Sequence, residues 1–261
     1  MKTDTKPIEA WKGYFEKIKR FIDVEGYTNI LQCYEVRRAV AVGNAPHIRH
    51  KLHWMQSLPS YKNHYEKLLQ DDWIGNPTRL PRNNPFTSGA RINMLYHIIQ
   101  LLNYGINILD YQHIFEFGGG YGCLCEMLHK AGFVGSYTIY DVPVMSGIQE
   151  WYLSHYDQQA KCTCKLEKVP DPGDKKSAFI ATMSFSEIPI SERIQVEKMI
   201  KDYDLIFIAY AADFVGIDNL GYFNRFRRKL KSHQWDEWDI DRDIGVTRKR
   251  KGKRYLVGVK K

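Results

Sequence analysis

The sequence predicts an α/β protein built on an open, mostly parallel sheet and entered through a helical N-terminal region. Three observations carry that prediction. An apolar run, Ile114-Phe115-Glu116-Phe117, leads into Gly118-Gly119-Gly120-Tyr121-Gly122 and then into an amphipathic segment. Strand, glycine loop and helix in that order are how an α/β sheet presents its backbone to a ligand. Downstream, apolar runs of strand length alternate with segments of helical period, the pattern of parallel strands joined by crossover helices. One run, Asp204 to Ala211, is apolar almost without interruption, as a central strand covered on both faces must be.

The elements follow in chain order. Trp11, Tyr14, Phe15, Ile18, Phe21 and Ile22 fall at helical spacing with lysines between them, which predicts an amphipathic opening helix. Helical signals continue through Asn29 to Val42 and Tyr61 to Leu69. The breakers Gly75-Asn76-Pro77, with Pro81 and Pro85 behind them, mark a joint between a helical region over 1–85 and a core over 86–261. A helix from Ala90 to Asn103 then leads into the first strand, Ile114 to Phe117, and Tyr121 to Ala131 is its crossover helix. Ser136 to Tyr140 is the second strand and Val144 to His155 its helix; Lys161 to Lys168 alternates polar and apolar as the third, and Ala178 to Met183 is the fourth. Ser191 to Lys201 has a serine start with a glutamate soon after, a helix entry signal. The central strand follows, then a helix over Leu220 to Lys231, and Ile244 to Lys249 and Tyr255 to Val259 form an antiparallel hairpin around Gly252.

The chemistry begins at the glycine loop. Glycines at 118, 120 and 122 allow a tight turn and let a ligand reach main-chain atoms that any Cβ would shield. A dinucleotide fingerprint needs its third glycine at the position of Cys123, and no Gly-Lys-Ser/Thr ending marks a nucleotide-triphosphate loop. The second apolar run ends in Asp141-Val142-Pro143, and a carboxylate at a strand tip accepts hydrogen bonds from both hydroxyls of a ribose. The crevice of an open sheet lies beyond the carboxyl ends of its strands, which directs Ser184, Ser186 and Glu187, and then Tyr210 and Asp213, toward a second substrate.

The pattern E-x-G-G-G-x-G after a strand, followed by a strand-ending acid, resembles motif I and the next acidic position of class I S-adenosylmethionine-dependent methyltransferases. The phrases "IFEFGGGYG", "YTIYDVP" and "MSFSEIP", with "IGNP" from Ile74 and "SGAR" from Ser88, are similar to a sugar O-methyltransferase family over about Trp73 to Pro189. The resemblance implies a Rossmann-like sheet of seven strands ending in an antiparallel hairpin. It also implies S-adenosyl-L-methionine as cofactor, held by Glu116, Gly118, Gly119, Gly120, Gly122, Asp141, Val142 and Ser184, and methylation of a sugar hydroxyl in glycan, polysaccharide or nucleotide-sugar metabolism. Such a cofactor supplies the reactive methyl, so the protein supplies aim, water exclusion and, for a weakly nucleophilic hydroxyl, a base. Glu187 is the first candidate base and Asp213 the second, while a carboxylate favoured at a helix start is the competing explanation of Glu187.

A formal charge of +8 and a pI near 9.1 favour an anionic partner such as a nucleotide-linked sugar. The cluster Arg248-Lys249-Arg250-Lys251-Gly252-Lys253-Arg254 places Lys249 to Lys253 at the hairpin tip, facing either the anionic part of an acceptor or solvent. Methylation of RNA ribose or other nucleic acid is the competing enzymatic reading, although Met183-Ser184-Phe185-Ser186 is not the Asp/Asn-Pro-Pro-aromatic segment of enzymes that methylate base amino groups. A cofactor-binding subunit without turnover is the non-enzymatic one. The sequence has no run of ~18 apolar residues and no apolar segment behind its charged start, which predicts a cytoplasmic protein without a membrane span. The five cysteines, Cys33, Cys123, Cys125, Cys162 and Cys164, lack paired C-x-x-C spacing and read as reduced, buried thiols. His47, His50 and His53 keep a three-residue rhythm without a carboxylate at helix spacing, so no metal is assigned. Trp235 and Trp238, among acids ahead of the hairpin, suit the face and hydroxyls of a sugar but read first as a packed edge.

Overall fold

The computed structural model describes residues 6–40, 45–80, 86–157, 160–244 and 252–261. Helices α1 (Lys6–Glu25), α2 (Tyr34–Ala39), α3 (Pro46–Gln56) and α4 (Glu66–Leu69) precede the long α5 (Gly89–Asn103). Then come β1 (His113–Phe117), α6 (Cys123–Lys130), β2 (Ser136–Tyr140), α7 (Pro143–Leu153), β3 (Ala160–Thr163), β4 (Ser177–Thr182), α8 (Ile190–Ile200) and β5 (Leu205–Ala211). A short ribbon of β6 (Asp213–Phe214) and β7 (Ile217–Asp218), α9 (Asn219–Lys229), β8 (His233–Asp239) and β9 (Lys253–Lys260) complete the chain.

Seven strands form one sheet in the order β3-β2-β1-β4-β5-β9-β8, with β1 to β5 parallel and β9 antiparallel to both neighbours. This is a Rossmann-like sheet of seven strands with a terminal antiparallel hairpin, the arrangement that the resemblance implies. The chain steps outward from β1 to β3 and then returns to lay β4 against the other side of β1, so the strand order reverses between β1 and β4. A crevice opens at such a switch point because the two crossover connections leave in opposite directions.

Strand alternation divides the core. Ile114, Ile139, Ile180 and Phe207 face α5, α6, α7 and the N-terminal helices, whose Ile18, Val36, Ile48 and Leu52 join the same cluster. Phe115, Phe179, Ile206 and Ile208 face α8 and α9 on the other side. Among the described residues no helix is long and apolar enough to cross a membrane.

Several boundaries differ from expectation. The first strand of the hairpin is His233–Asp239, not Ile244 to Lys249; Ile244 ends a 3-10 turn, and residues 245–251 lie outside the described residues. Trp235 and Trp238 are therefore in the hairpin rather than ahead of it. Only Ala160–Thr163 of the third strand pairs, and a 3-10 turn at Leu166–Lys168 follows. Asn29 to Val42 holds a 3-10 turn and the short α2, with residues 41–44 outside the described set, while Tyr61 to Leu69 is a π-turn followed by α4. Helix α8 starts at Ile190 behind Pro189, one residue before the expected serine. At the joint, Trp73, Gly75 and Asn76 take positive φ, and Pro81 and Pro85 lie outside the described residues. Cys33, Cys123 and Cys125 are buried thiols as expected, but Cys162 is only half-buried and Cys164 is exposed, because β3 is the edge of the sheet.

Candidate active site

The glycine loop leaves β1 at the switch point. Gly118, Gly120 and Gly122 take φ of +72°, +59° and +98°, the left-handed region that a side chain disfavours. Space is also exhausted around two of the four glycines. A Cβ on Gly118 would stand 2.2 Å from the Ser184 Cβ, and one on Gly119 2.6 Å from Ile139 Cγ2 and 2.9 Å from Glu116 Oε2. Gly118→Ala should therefore cost about 2–4 kcal/mol through left-handed strain and overpacking together. Urea unfolding reads that loss, and adding Ser184→Gly should recover part of it; equal stability of parent and single variant would refute the close approach.

Three of the predicted carboxyls meet this loop or the β4 tip, each with its ordinary pKa disturbed. Glu116 lies beneath the loop, buried, and its carboxylate accepts a 2.8 Å hydrogen bond from the Tyr137 hydroxyl. Burial pushes its pKa up to about 7, against the pull of that hydrogen bond and with a further push from Asp141. Asp141 follows β2 and is half-buried. Its Oδ1 accepts from the Val142 N–H at 2.9 Å, and its Oδ2 from the Gln149 amide at 2.9 Å. Burial raises its pKa to about 7, and both hydrogen bonds oppose the rise. Glu187 is likewise pushed up to about 7 by burial, opposed by the positive charges of Lys253 and Arg193. A site that holds several carboxyls at this cost is prepared for hydrogen-bond donors and for positive charge.

The β4 tip supplies the opposite wall. Met183 takes φ +84° and ψ −41°, a conformation costly for a residue with a side chain, and a 3-10 turn over Ser184–Glu187 follows. The turn is held at both ends. The Ser184 hydroxyl donates to the Phe117 carbonyl, joining β4 to the start of the glycine loop. Ser186 is turned inward, with its hydroxyl donating to the Met183 carbonyl at 2.6 Å, so it does not face the crevice. Fully buried Arg193 donates to the carbonyls of Ser186 and Ile188 at 2.7 and 3.0 Å, one on each side of Glu187, and to Asn219 Oδ1 at 2.7 Å. Asn219 in turn donates to the carbonyls of Ser186 and Ala211, linking the turn to the end of β5. The Glu187 side chain makes no hydrogen bond or ion pair among the described residues.

The structure does not bring the remaining candidates to one place. Asp213 is exposed on β6 beyond the end of β5. Tyr210 is buried and donates to Glu237 on β8. Of the basic tip, Lys249, Arg250 and Lys251 lie outside the described residues, and Lys253 pairs with Ala211 at the carboxyl end of β5, close enough to act on Glu187. His47, His50 and His53 fall on α3, and among the described residues no group of His, Cys, Asp or Glu is arranged to hold a metal.

The N-terminal helices cross this edge of the sheet. Val40 stands 3.4 Å from the position of a Cβ on Gly120, and the Tyr27 hydroxyl 3.2 Å from one on Gly147 in α7. Tyr27 stacks on Trp151 at 5.4 Å, and at the other end of α1 Trp11 stacks on Phe214 at 6.5 Å. The crevice is thus roofed from α7 to the β6–β7 ribbon. An open cavity of about 430 Å³, lined by Asp72, Glu126, His129, Lys130 and Tyr156, lies at the far ends of α6 and α7, away from the glycine loop, and no predicted site residue lines it. Gln149, Arg193 and Asn219 escaped the sequence reading because their partners are distant in sequence; only the apolar face of α7, with Met145, Ile148 and Tyr152 buried, hinted that position 149 turns inward.

No protein-family model matches the sequence, and no curated protein matches it. Solved structures share its fold. The methyltransferase domain of bacterial CtHen1-CN superposes with a TM-score of 0.50 at 10% identity, covering 64% of this chain and 100% of that one. Magnesium protoporphyrin IX methyltransferase from Synechocystis, solved with bound S-adenosylmethionine, gives 0.48 at 15% identity over 65% of this chain and 78% of that one. Precorrin-6y C5,15-methyltransferase from Geobacter metallireducens gives 0.44 at 12% identity over 67% of this chain and 89% of that one.

Proposed function

We propose that this protein is an S-adenosylmethionine-dependent O-methyltransferase that acts on a sugar hydroxyl. The observation that carries the cofactor reading is the meeting of the glycine loop after β1 with Asp141 after β2, the two joined through Gln149 beside the switch point. The residues fit the group. The loop glycines carry no side chain to shield their own backbone from the methionine and ribose portions, Ser184 and Ile139 pack closely against Gly118 and Gly119, and the carboxylate of Asp141 keeps a lone pair on each oxygen for ribose hydroxyls. Glu116 and Asp141, both raised by burial, gain from an adjacent ammonium or sulfonium. When bound, the cofactor supplies an activated methyl group.

The rest is the work of this chain. Val142 and Ser184 border the cradle, and Glu187, clamped beyond β4, accepts the proton of the acceptor hydroxyl. Helix α1, Tyr27 and Val40 roof the crevice and exclude water. Support for a sugar acceptor is the resemblance of the phrases around Asp141 and Glu187, together with the net positive charge, which suits a nucleotide-linked sugar.

Ligand that binds only the native state raises apparent stability by mass action. S-adenosylhomocysteine at a hundredfold excess over its Kd should add roughly 2.7 kcal/mol. Asp141→Ala and Gly120→Val should each abolish the thermal shift. Labelled S-adenosylmethionine offered with separate pools of nucleotide sugars, oligosaccharides and RNA identifies the acceptor, and labelling of RNA alone would replace the sugar reading with ribose methylation. An unchanged melting temperature in the parent protein would refute the cofactor assignment.

A further inference from the structure

We propose that Gln149 is a positioning residue for the cofactor ribose, tying the Asp141 carboxylate to the glycine loop. The inference rests on the cofactor reading above. Gln149 lies on α7 with 0% of its surface exposed. Its Nε2 donates at 2.9 Å to Asp141 Oδ2 and at 2.9 Å to the Gly120 carbonyl, so one amide group spans the acid after β2 and the loop after β1.

The amide orientation follows from its partners. A flipped amide would set Oε1 against two acceptor oxygens, so the NH2 must face them. The consequence is a burden on the other side, because Oε1 is buried without a hydrogen-bond partner among the described residues. Leucine or methionine would fill this place without burying an unsatisfied oxygen. The amide is therefore accounted for by what its two N–H groups do. With the Val142 N–H on Oδ1 and Gln149 on Oδ2, the carboxylate is fixed from both sides, and each oxygen keeps acceptor capacity for a ribose hydroxyl.

Gln149 also favours the ionised form of that carboxylate. Burial holds the Asp141 pKa up at about 7 even with the Gln149 amide and the Val142 N–H pulling it down, so losing the amide should raise it further. The titratable groups acting with it are Glu116 from β1, Tyr140 from β2 and Cys162 from β3. Burial pushes the Cys162 thiol up to about 12 and raises Tyr140, so both stay neutral near pH 7 and only Glu116 titrates in the same window.

The test measures binding of S-adenosylhomocysteine, and of its analogue lacking both ribose hydroxyls, by calorimetry from pH 6 to 9. The parent should prefer the hydroxylated ligand and bind it better as pH rises through about 7. Gln149→Met should weaken that ligand about ten- to hundredfold at pH 7, the worth of a hydrogen bond to a charged group. It should narrow the preference over the analogue, and it should move the pH midpoint upward, in a Glu116→Gln background as well. A merely structural role would weaken both ligands equally at every pH, and that result overturns the proposal. Should the variant not fold, the parent labelled with 15N-glutamine decides: the Gln149 side-chain amide must titrate with the midpoint of ligand affinity and shift on binding, and a silent resonance overturns the proposal. A parent that binds neither ligand refutes the cofactor reading itself, whereas a parent that binds with an indifferent Gln149 refutes only this inference.

Discussion

Glu187→Gln should lower methyl transfer by about 10²–10⁴-fold while leaving S-adenosylmethionine affinity within about twofold, because a base acts on the transition state and not on cofactor binding. The expectation rests on how Glu187 is held. Arg193 grips the carbonyls on both sides of it, while its own carboxylate has no partner among the described residues, so the backbone is fixed and the side chain is free to meet a substrate. Burial brings its pKa to about 7, close to where a general base is most effective. Since only the ionised form accepts a proton, parent turnover at saturating S-adenosylmethionine, where the titration of Asp141 and Glu116 no longer limits binding, should rise with pH through about 7, and this acid limb should disappear in Glu187→Gln. Asp213 is exposed on the β6–β7 ribbon, and Asp213→Asn should change turnover by no more than about twofold. A carboxylate serving only a helix start would cost at most about 1 kcal/mol of stability and no turnover. That outcome in Glu187→Gln would return the assignment to Asp213 or to positioning alone. The geometry already separates Glu187 from α8, which begins at Ile190 with Pro189 as its cap.

What was legible in the sequence was whatever is local. The glycine loop, Asp141 and the apolar runs of β1, β2, β4 and β5 each announce themselves within a few residues, and the structure lays these four strands side by side as β2-β1-β4-β5, with the loop at the switch between β1 and β4. Strand β8 was misread because it lies at the edge of the sheet. Gln234, Asp236 and Asp239 are exposed, so no apolar run marks it, and the turn at Gly252 drew the assignment to Ile244 to Lys249 instead. Helix α3 was within reach. Ile48, Leu52 and Met55 stand at i, i+4 and i+7, but the histidines at 47, 50 and 53 overlay that signal. Gln149 and Arg193 belong to a different class. A buried polar residue on a helix looks in sequence like a solvated one, and only the packing of α7 against the loop and α8 against α9 gives each its acceptors.

Arg91 shows the same limit, and its removal should have the largest effect on stability, about 3–5 kcal/mol for Arg91→Met in denaturant unfolding. The "SGAR" phrase marked the entry to a helix, and nothing near it in sequence showed that its arginine is fully buried. From α5 the guanidinium reaches Glu126 on α6 at 2.7 Å and donates through Nε and Nη2 to the Leu68 carbonyl on α4 at 3.0 and 2.8 Å. Methionine fills much the same volume but strands that carbonyl and leaves Glu126 buried without its arginine counter-charge. Burial already raises the Glu126 pKa in spite of Arg91, so losing the cation should raise it further. A carboxyl whose folded pKa lies above its unfolded value stabilises the fold fully below the unfolded pKa and loses that contribution as pH rises through the folded one. The deficit of Arg91→Met should therefore be smallest near pH 4 and grow toward neutrality. Adding Glu126→Leu should restore much of the loss, since replacing both partners of a buried pair removes the uncompensated charge. Because Leu68 belongs to the region that continues into the roof, amides of α4 should exchange faster in the single variant than those of β5, which is buried on both faces. A cost below about 1 kcal/mol would show instead that Glu126 is compensated by Lys130 on its own helix, and that the three helices need no ionic joint.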